Sequence, residues 1–323
     1  MTTPYGVLLP RDRDPATFGR RAADFGYDRL WLGELWGYDA FVTLTRAADV
    51  PIGLGTAIAN VFSRTPATLA QAAATVDEAA GDDGFVLGLG TSTPRAIETI
   101  HGEEFDRPVR RLHETAELAG RLLRSDERVD YDGETVGASG APGLDTDVPV
   151  YTAALGAAAR RATGRVADGW LPHNVPFDRL EAAFETVAET ARERGRSPDE
   201  ITVTPWIPSA VAEDEAAARD AVRGHLAYYV GSGEGYRRAV GASFPDAAEA
   251  IADAWGRGER DAARERVTDE MVDALGVAGT AETAPDRLDA ILDRDVVDAA
   301  VLVVPTGAED LLDRTVETLA PNR

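Results

Sequence analysis

The sequence predicts an α/β fold, a (β/α)8 TIM barrel with insertions after strands 4 and 7. Three observations predict it. Eight short apolar runs recur, most of them ending at or beside Gly, Pro or Asn, and most give way to a longer stretch whose apolar residues recur with helical spacing. Most runs are continuously apolar rather than alternating, as in parallel strands covered on both faces. The 323 residues suffice for a barrel of about 250 residues plus insertions. A doubly wound open sheet is the rival arrangement of the same alternation.

In chain order the expected strands are Tyr5–Pro10, Arg29–Gly33, Ile52–Ala59 and Phe85–Gly90, then Val148–Ala154, Gly169–Pro172, Ile201–Ile207 and Ala299–Pro305. Between them, Thr65-Pro66 opens a helix with a side-chain cap and proline at the first helical position. Its Leu69, Ala73, Val76 and Ala80 share one face. Thr93-Pro94 repeats that opening. Leu112, Ala116, Ala119 and Leu123 line a third helix, Leu180, Phe184, Val187 and Ala191 another, and Leu312, Val316 and Leu319 the last. Residues 91–147 and 208–298 exceed a simple strand–helix unit and are the expected insertions, placed where barrel active sites are built. With no dividing linker, residues 1–323 read as one domain.

Composition narrows the chemistry. Hydrophobic residues make up 44%, enough for a substantial core. Cysteine is absent, which removes disulfides, thiolate catalysis, zinc ribbons and iron–sulfur clusters. Lysine is absent too, so all 33 basic residues are arginine, and Schiff-base chemistry and a P-loop lysine are excluded. A net charge of −23 repels nucleic acid and anionic membranes. The acidic residues are spread along the chain rather than gathered in a tail, which points to a salt-adapted, halophilic cytoplasmic protein. Concentrated salt, with a Debye length of about 3 Å at 1 M, screens that self-repulsion. The first 25 residues lack a basic start followed by a long apolar run, and no stretch reaches 18 apolar residues, so neither a leader nor a membrane span is expected.

Several residues are candidates for chemistry. Glu34 ends the second strand beside Trp36 and Tyr38, an acid with two aromatics that suits a flat ligand. Asn60, Ser63 and Arg64 follow the third strand; an arginine there is most simply a surface residue. Gly88 and Gly90 in the fourth strand permit close approach of a ligand or backbone. After the fifth, Leu155-Gly156-Ala157 opens a helix with small residues, whose free N–H groups suit a phosphate, with Arg160 and Arg161 one turn on. The four histidines, His101, His113, His173 and His225, show no metal-ligand spacing, so no metal site is expected. His101 and His173 follow expected strands and are proton-transfer candidates. His113 and His225 read as structural or surface residues.

These segments together resemble the luciferase-like monooxygenase superfamily: GYDRLWLGE, GLGTAIANVFSRTPATLAQAAATVDE, FVLGLGTS, IHGEEFDRPVRRLHE and PVYTAALG…ADGWLPH, with GTAETAPDRL…VVDAAVLVVPTG near the end. Within it, FSRTPATLAQAAATVDE, LGLG and HGEEFDRP most resemble the branch that uses coenzyme F420. The resemblance implies an F420-dependent oxidoreductase that passes a hydride between the deazaflavin and a small organic substrate (a methylene-pterin, an alcohol or an enone). The alternatives are an FMN-dependent monooxygenase of the same superfamily and a non-catalytic ligand-binding barrel. It implies that a bulge at Ala57-Ile58, often with a cis peptide in that branch, backs the ring, with Glu34, Asn60, Gly90 and Thr91 lining the pocket. Leu155, Gly156 and Ala157 would then take the phosphate. The histidine that acts at the end of strand 2 in several members is replaced here by Leu35, so Glu34, His101 or His173 would take its place as the catalytic group, or the substrate needs no protein proton donor. A homodimer is the assembly the resemblance implies.

Overall fold

The structure, a computed structural model, describes residues 3–323. The chain falls into two compact units. One comprises residues 8–171 and 185–203, the other, among the described residues, 3–7, 172–184 and 204–323.

In chain order the strands are β1 (Tyr5–Leu8), β2 (Arg29–Glu34), β3 (Gly53–Asn60), β4 (Phe85–Gly90), β5 (Arg128–Asp132) and β6 (Gly137–Pro142). They continue with β7 (Val150–Thr152), β8 (Gly169–Trp170), β9 (Thr202–Val203), β10 (Trp206–Val211), β11 (Val277–Gly279) and β12 (Ala300–Val303). The first unit carries a parallel run in the order β2-β3-β4-β7-β8-β9. The second carries a parallel run in the order β11-β10-β12-β1. Parallel strands separated by helices make the fold α/β, and β4 is buried along its whole length, as its unbroken apolar run predicts.

Helix Pro66–Ala80 forms as its sequence dictates. Thr65 Oγ1 accepts from Thr68 N at 3.2 Å, Pro66 occupies the first turn, and Leu69, Ala73, Val76 and Ala80 are buried. Asp77 Oδ1 accepts from Phe85 N at 2.9 Å and fixes where β4 starts. Helix Pro108–Arg124 buries Leu112, Ala116, Ala119 and Leu123, the expected face. Leu312, Val316 and Leu319 are buried in the second unit.

Three features depart from the expected strand list. The run Ile201–Ile207 is not one strand: Thr202–Val203 is β9 and Trp206–Val211 is β10. Pro205, which has no N–H to donate, sits in the break. The polar stretch after helix Pro108–Arg124 forms an antiparallel hairpin, β5–β6. Its turn is held by buried Glu114, which accepts from Glu134 N at 3.0 Å, Thr135 N at 2.7 Å and Thr135 Oγ1 at 2.6 Å. The short β11 sits in a glycine- and alanine-rich segment whose composition carries little strand signal.

Residues 208–298 of the second unit hold five helices, Glu215–Ser232, Glu234–Gly241, Pro245–Gly256, Arg260–Glu265 and Asp269–Leu275, between β10 and β11. They close on a core that includes Val222, Leu226, Val230, Val240, Ile251 and Met271. Among the described residues no helix is long and apolar enough to cross a membrane.

Candidate active site

The irregular part of the first unit is the C-terminal half of β3. The peptide bond Ala57–Ile58 is cis, at the position the resemblance implied. The pairing of β3 with β4 shifts register between Gly55 and Ala59, and that of β2 with β3 shifts between Leu32 and Glu34. The neighbouring strands accommodate this bulge with residues that have no side chain. A Cβ on Gly88 would stand 1.9 Å from Thr56 O, and one on Gly33 2.9 Å from Ala57 O. A Cβ on Gly90 would stand 2.7 Å from Ile58 Cγ1, so the Ile58 side chain lies over Gly90. Thr56 Oγ1 locks the bulge to β4, donating to Gly88 O and accepting from Gly88 N, both at 2.9 Å. Ile58 is the one residue of β3 that is not fully buried.

Glu34 and Asn60 end the strands beside this bulge, Glu34 in register with Ala59 and Asn60 with Gly90. Arg64 grips Glu34 with two hydrogen bonds, Nε to Oε2 at 3.0 Å and Nη2 to Oε1 at 2.6 Å. It also donates to Asp39 Oδ2 and lies over the Phe41 ring at 5.0 Å. The Arg64 side chain is 19% exposed and that of Glu34 13%, so the surface-arginine expectation is corrected. The chain after β3 brings Arg64 back over the end of β2, thirty residues upstream. Its hydrogen bonds, that to Glu34 first, outweigh desolvation and raise the guanidinium pKa further. Burial raises the Asp39 carboxyl, but hydrogen bonds from Val42 N and Arg64 more than offset it and leave that carboxyl below its usual range.

Asn60 is fully buried; its Oδ1 accepts from Phe62 N at 3.1 Å and Ser63 N at 2.9 Å, while its Nδ2 has no partner among the described residues. His101 Nε2 lies 3.0 Å from Leu35 O, and a carbonyl can only accept, so Nε2 is the donor; in the neutral tautomer the lone pair is then on Nδ1. Trp36 and Tyr38, between these anchored residues, are 68% and 88% exposed.

On the next strand over, Ala153 N donates to Leu89 O at 2.8 Å, and helix Ala157–Val166 starts just beyond β7. Gly156 occupies its cap position with no side-chain hydrogen bond, and Gly156 and Ala157 are exposed. Nothing lies within 4 Å of a Cβ built on Gly156. The hydroxyls of Thr152 and Thr163 meet at 2.8 Å, and Trp170 Nε1 donates to Ala154 O at 2.8 Å, fixing helix and strand end together.

His173 belongs to the other unit, where it forms a pair that no sequence spacing announces. Its Nε2 lies 3.0 Å from Nε2 of His225, 52 residues away on helix Glu215–Ser232. Rings of Trp206, Tyr229 and Tyr236 surround it at 4.7, 4.3 and 5.4 Å. Burial, then the nearby His225, push His173 well below the ordinary imidazole value, and burial pushes His225 down to about 3. Both rings are therefore neutral at pH 7, one donating to the other. In the unfolded chain each histidine takes up a proton near pH 6.5. The stability of this neutral arrangement is thus complete above that pH and is lost as pH falls from there toward 3. The expected loss is about 1.4 kcal/mol per pH unit for each histidine. Urea unfolding at pH 7, 6 and 5 checks it. The double variant His173→Phe/His225→Leu should show a flatter slope than the native chain, and equal slopes would refute this account.

The family model for luciferase-like monooxygenases matches residues 11–299. The chain belongs to that family. The 5,10-methylenetetrahydromethanopterin reductase of Methanopyrus kandleri is 27% identical to it, over 92% of this chain and 91% of the reductase. The solved structure of the coenzyme F420-dependent tetrahydromethanopterin reductase from Methanopyrus kandleri superposes with a TM-score of 0.81 at 25% identity, covering 100% of this chain and 98% of that one. The F420-dependent glucose-6-phosphate dehydrogenase of Nocardia farcinica is 36% identical over 174 residues, 50% of this chain and 51% of its own.

In this luciferase-like chain, Glu34, Ala57, Ile58, Asn60, Gly90 and Thr91 gather at the ends of the adjacent strands β2, β3 and β4, and Leu155, Gly156 and Ala157 follow β7, the neighbour of β4. The fit to a phosphorylated ring compound is good on three counts: an unpaired buried amide on Asn60, a partly exposed Ile58 over a glycine floor, and a helix start at exposed Gly156 with no side-chain cap. Sequence reasoning missed Arg64 as a partner of Glu34 and His225 as a partner of His173. Neither has a local signal, since each pair is made by chain segments far apart in sequence.

Proposed function

We propose that this protein is a coenzyme F420-dependent oxidoreductase acting on a small organic substrate. The β3 bulge, held between Gly33 and Gly88 with Ile58 lying over Gly90, is the observation that carries the reading. It is supported by the F420-dependent proteins among the relatives. Bound F420 supplies a ring carbon that gives or takes a hydride. The chain's part is to hold and orient. Ala57, Ile58 and Gly90 offer a flat apolar backing, and Asn60 Nδ2 offers a hydrogen bond to the ring edge. The N–H groups opening helix Ala157–Val166, with Leu155, Gly156 and Ala157 around them, receive the phosphate, the charge the helix end favours. Arginine and backbone suffice there, since the chain has no lysine.

Of the three catalytic candidates, Glu34 spends both oxygens on Arg64 and serves to fix the loop after β2. His101, with its proton on Nε2, is suited to take a substrate proton at Nδ1. His173 sits in a neutral pair and suits proton passage less well. The reading keeps the single (β/α)8 barrel domain with insertions at 91–147 and 208–298. It also takes the protein as a cytoplasmic, archaeal-type homodimer adapted to concentrated salt, supported by the −23 charge and by the family resemblance.

The test is a fluorescence titration of the protein with F420 and, separately, with FMN in molar KCl. Binding of F420 with no binding of FMN is expected. FMN binding alone would turn the reading to a monooxygenase, and binding of neither to a barrel without catalysis.

A further inference from the structure

The turn that leaves β3 is held by an arginine from a helix far along the chain. Arg111 stands in the first turn of helix Pro108–Arg124, and its Nε donates to Val61 O at 2.8 Å, 50 residues upstream. Its guanidinium lies over the Phe62 ring at 5.0 Å, and that ring stacks on Phe105 at 5.1 Å with 26° between the planes. Val61 is fully buried, and its N–H donates to Gly90 O at 3.0 Å where β3 leaves β4. The carbonyl of Val61 and the ring of Phe62 are therefore both held by one side chain.

The neighbours of Arg111 behave differently. Arg107 meets the carboxylates of Asp106 and Glu134, and Arg110 those of Glu114 and Glu134. Arg111 meets no carboxylate among the described residues, in a chain that carries 56 acidic side chains. Its charge is spent on a carbonyl and a ring of one turn. That turn is the one that grips Asn60, whose Oδ1 accepts from Phe62 N at 3.1 Å and Ser63 N at 2.9 Å. With Oδ1 turned to those two N–H groups, Nδ2 is left on the opposite side of the amide, buried and unpartnered among the described residues. A donor is useful to a ligand only if it is held where the ligand expects it, and the groups that hold it are as necessary as the donor itself.

We propose that Arg111 is a positioning residue of the ring site. By pinning Val61 and Phe62 it fixes the turn that grips Asn60 Oδ1, and so keeps Asn60 Nδ2 set as a donor to the coenzyme. The word coenzyme rests on the F420 reading; the hold of Arg111 on the Asn60 turn does not.

Three substitutions in the full chain test it, in molar KCl, with thermal midpoints to confirm folding. Arg111→Met keeps an apolar stem against Phe62 and cannot donate. Arg111→Gln places an N–H donor, Nε2, where Nε stood. Asn60→Asp keeps the acceptor for Phe62 N and Ser63 N and removes the donor. Without coenzyme, hydrogen exchange over residues 60–63 should run about tenfold faster in Arg111→Met, as for one lost hydrogen bond, and stay near native in Arg111→Gln. In a titration with F420, Arg111→Met and Asn60→Asp should each lose about tenfold in affinity, and Arg111→Gln should recover most of it. The double variant Arg111→Met/Asn60→Asp should bind no more weakly than Asn60→Asp alone, because the arginine acts only through the amide. A general loss of structure would instead multiply the two effects. Native exchange rates in Arg111→Met, equal F420 losses in Arg111→Met and Arg111→Gln, or losses that multiply would each overturn the proposal. If Asn60→Asp does not fold, the exchange rates and the contrast between Arg111→Met and Arg111→Gln decide. A native chain that fails to bind F420 refutes the coenzyme, and the exchange rates alone then decide whether Arg111 holds the Asn60 turn.

Discussion

Replacing Gly88 by alanine is expected to lower stability by about 3 kcal/mol or more, at the upper end of what overpacking costs. The added methyl would sit 1.9 Å from Thr56 O and 2.9 Å from Leu171 Cδ1. A leucine tip can swing aside, but a backbone carbonyl inside a paired strand cannot move without breaking the ladder. The same Thr56 also bonds Gly88 through its hydroxyl in both directions, so the displacement would strain two further hydrogen bonds. For a chain of this size such a loss corresponds to a fall in the thermal midpoint on the order of 5 °C or more. F420 affinity should fall with it, because the bulge that backs the proposed ring site cannot keep its form. Gly156→Ala is the control: nothing lies within 4 Å of its Cβ, so stability should stay within about 0.5 kcal/mol. Calorimetry on the two variants decides the matter, and equal midpoints would show that β3 can yield.

Arg64→Met should cost about 2–4 kcal/mol, more than the loss of an exposed ion pair. Removing the guanidinium leaves the Glu34 carboxylate, only 13% exposed, without the two hydrogen bonds Arg64 gives it, and deprives Asp39 of its ion-pair partner, leaving it the bond from Val42 N. The methionine keeps the apolar contact with Phe41, so the change reports chiefly on charge. Glu34→Gln in the same background should restore part of the loss, because it removes the stranded charge. The double-mutant cycle from urea unfolding would then show a coupling of about 1–3 kcal/mol. Additive effects would mean that Arg64 and Glu34 act separately, contrary to their bidentate geometry. The cycle also predicts a functional consequence. The loop carrying Trp36 and Tyr38 hangs between Glu34 and Asp39, so releasing both ends should weaken F420 binding without abolishing it.

Much of the α/β framework was legible in the sequence because it is set by local patterns. Continuous apolar runs mark buried parallel strands, Thr-Pro pairs mark helix starts, and the glycines of FVLGLG mark a strand that something approaches closely. The break between β9 and β10 was partly written there too, in Pro205. The β5–β6 hairpin and β11 were not. The first is polar and is held by a buried glutamate of the helix just before it, a side-chain contact that no apolar pattern marks, and the second is three small residues long.

The sequence by itself determined which residues stand at the ends of β2, β3 and β4, since strand position follows from the order of apolar runs and glycines. Only the tertiary structure decided what those residues do there. Arg64 became the clasp on Glu34, His101 had its proton fixed on Nε2 by Leu35, and His173 found His225. Each of these is a meeting between segments 30 to 66 residues apart. Hydrogen bonds of that kind depend on angstrom-scale distances set by packing, which periodicity along the chain does not encode.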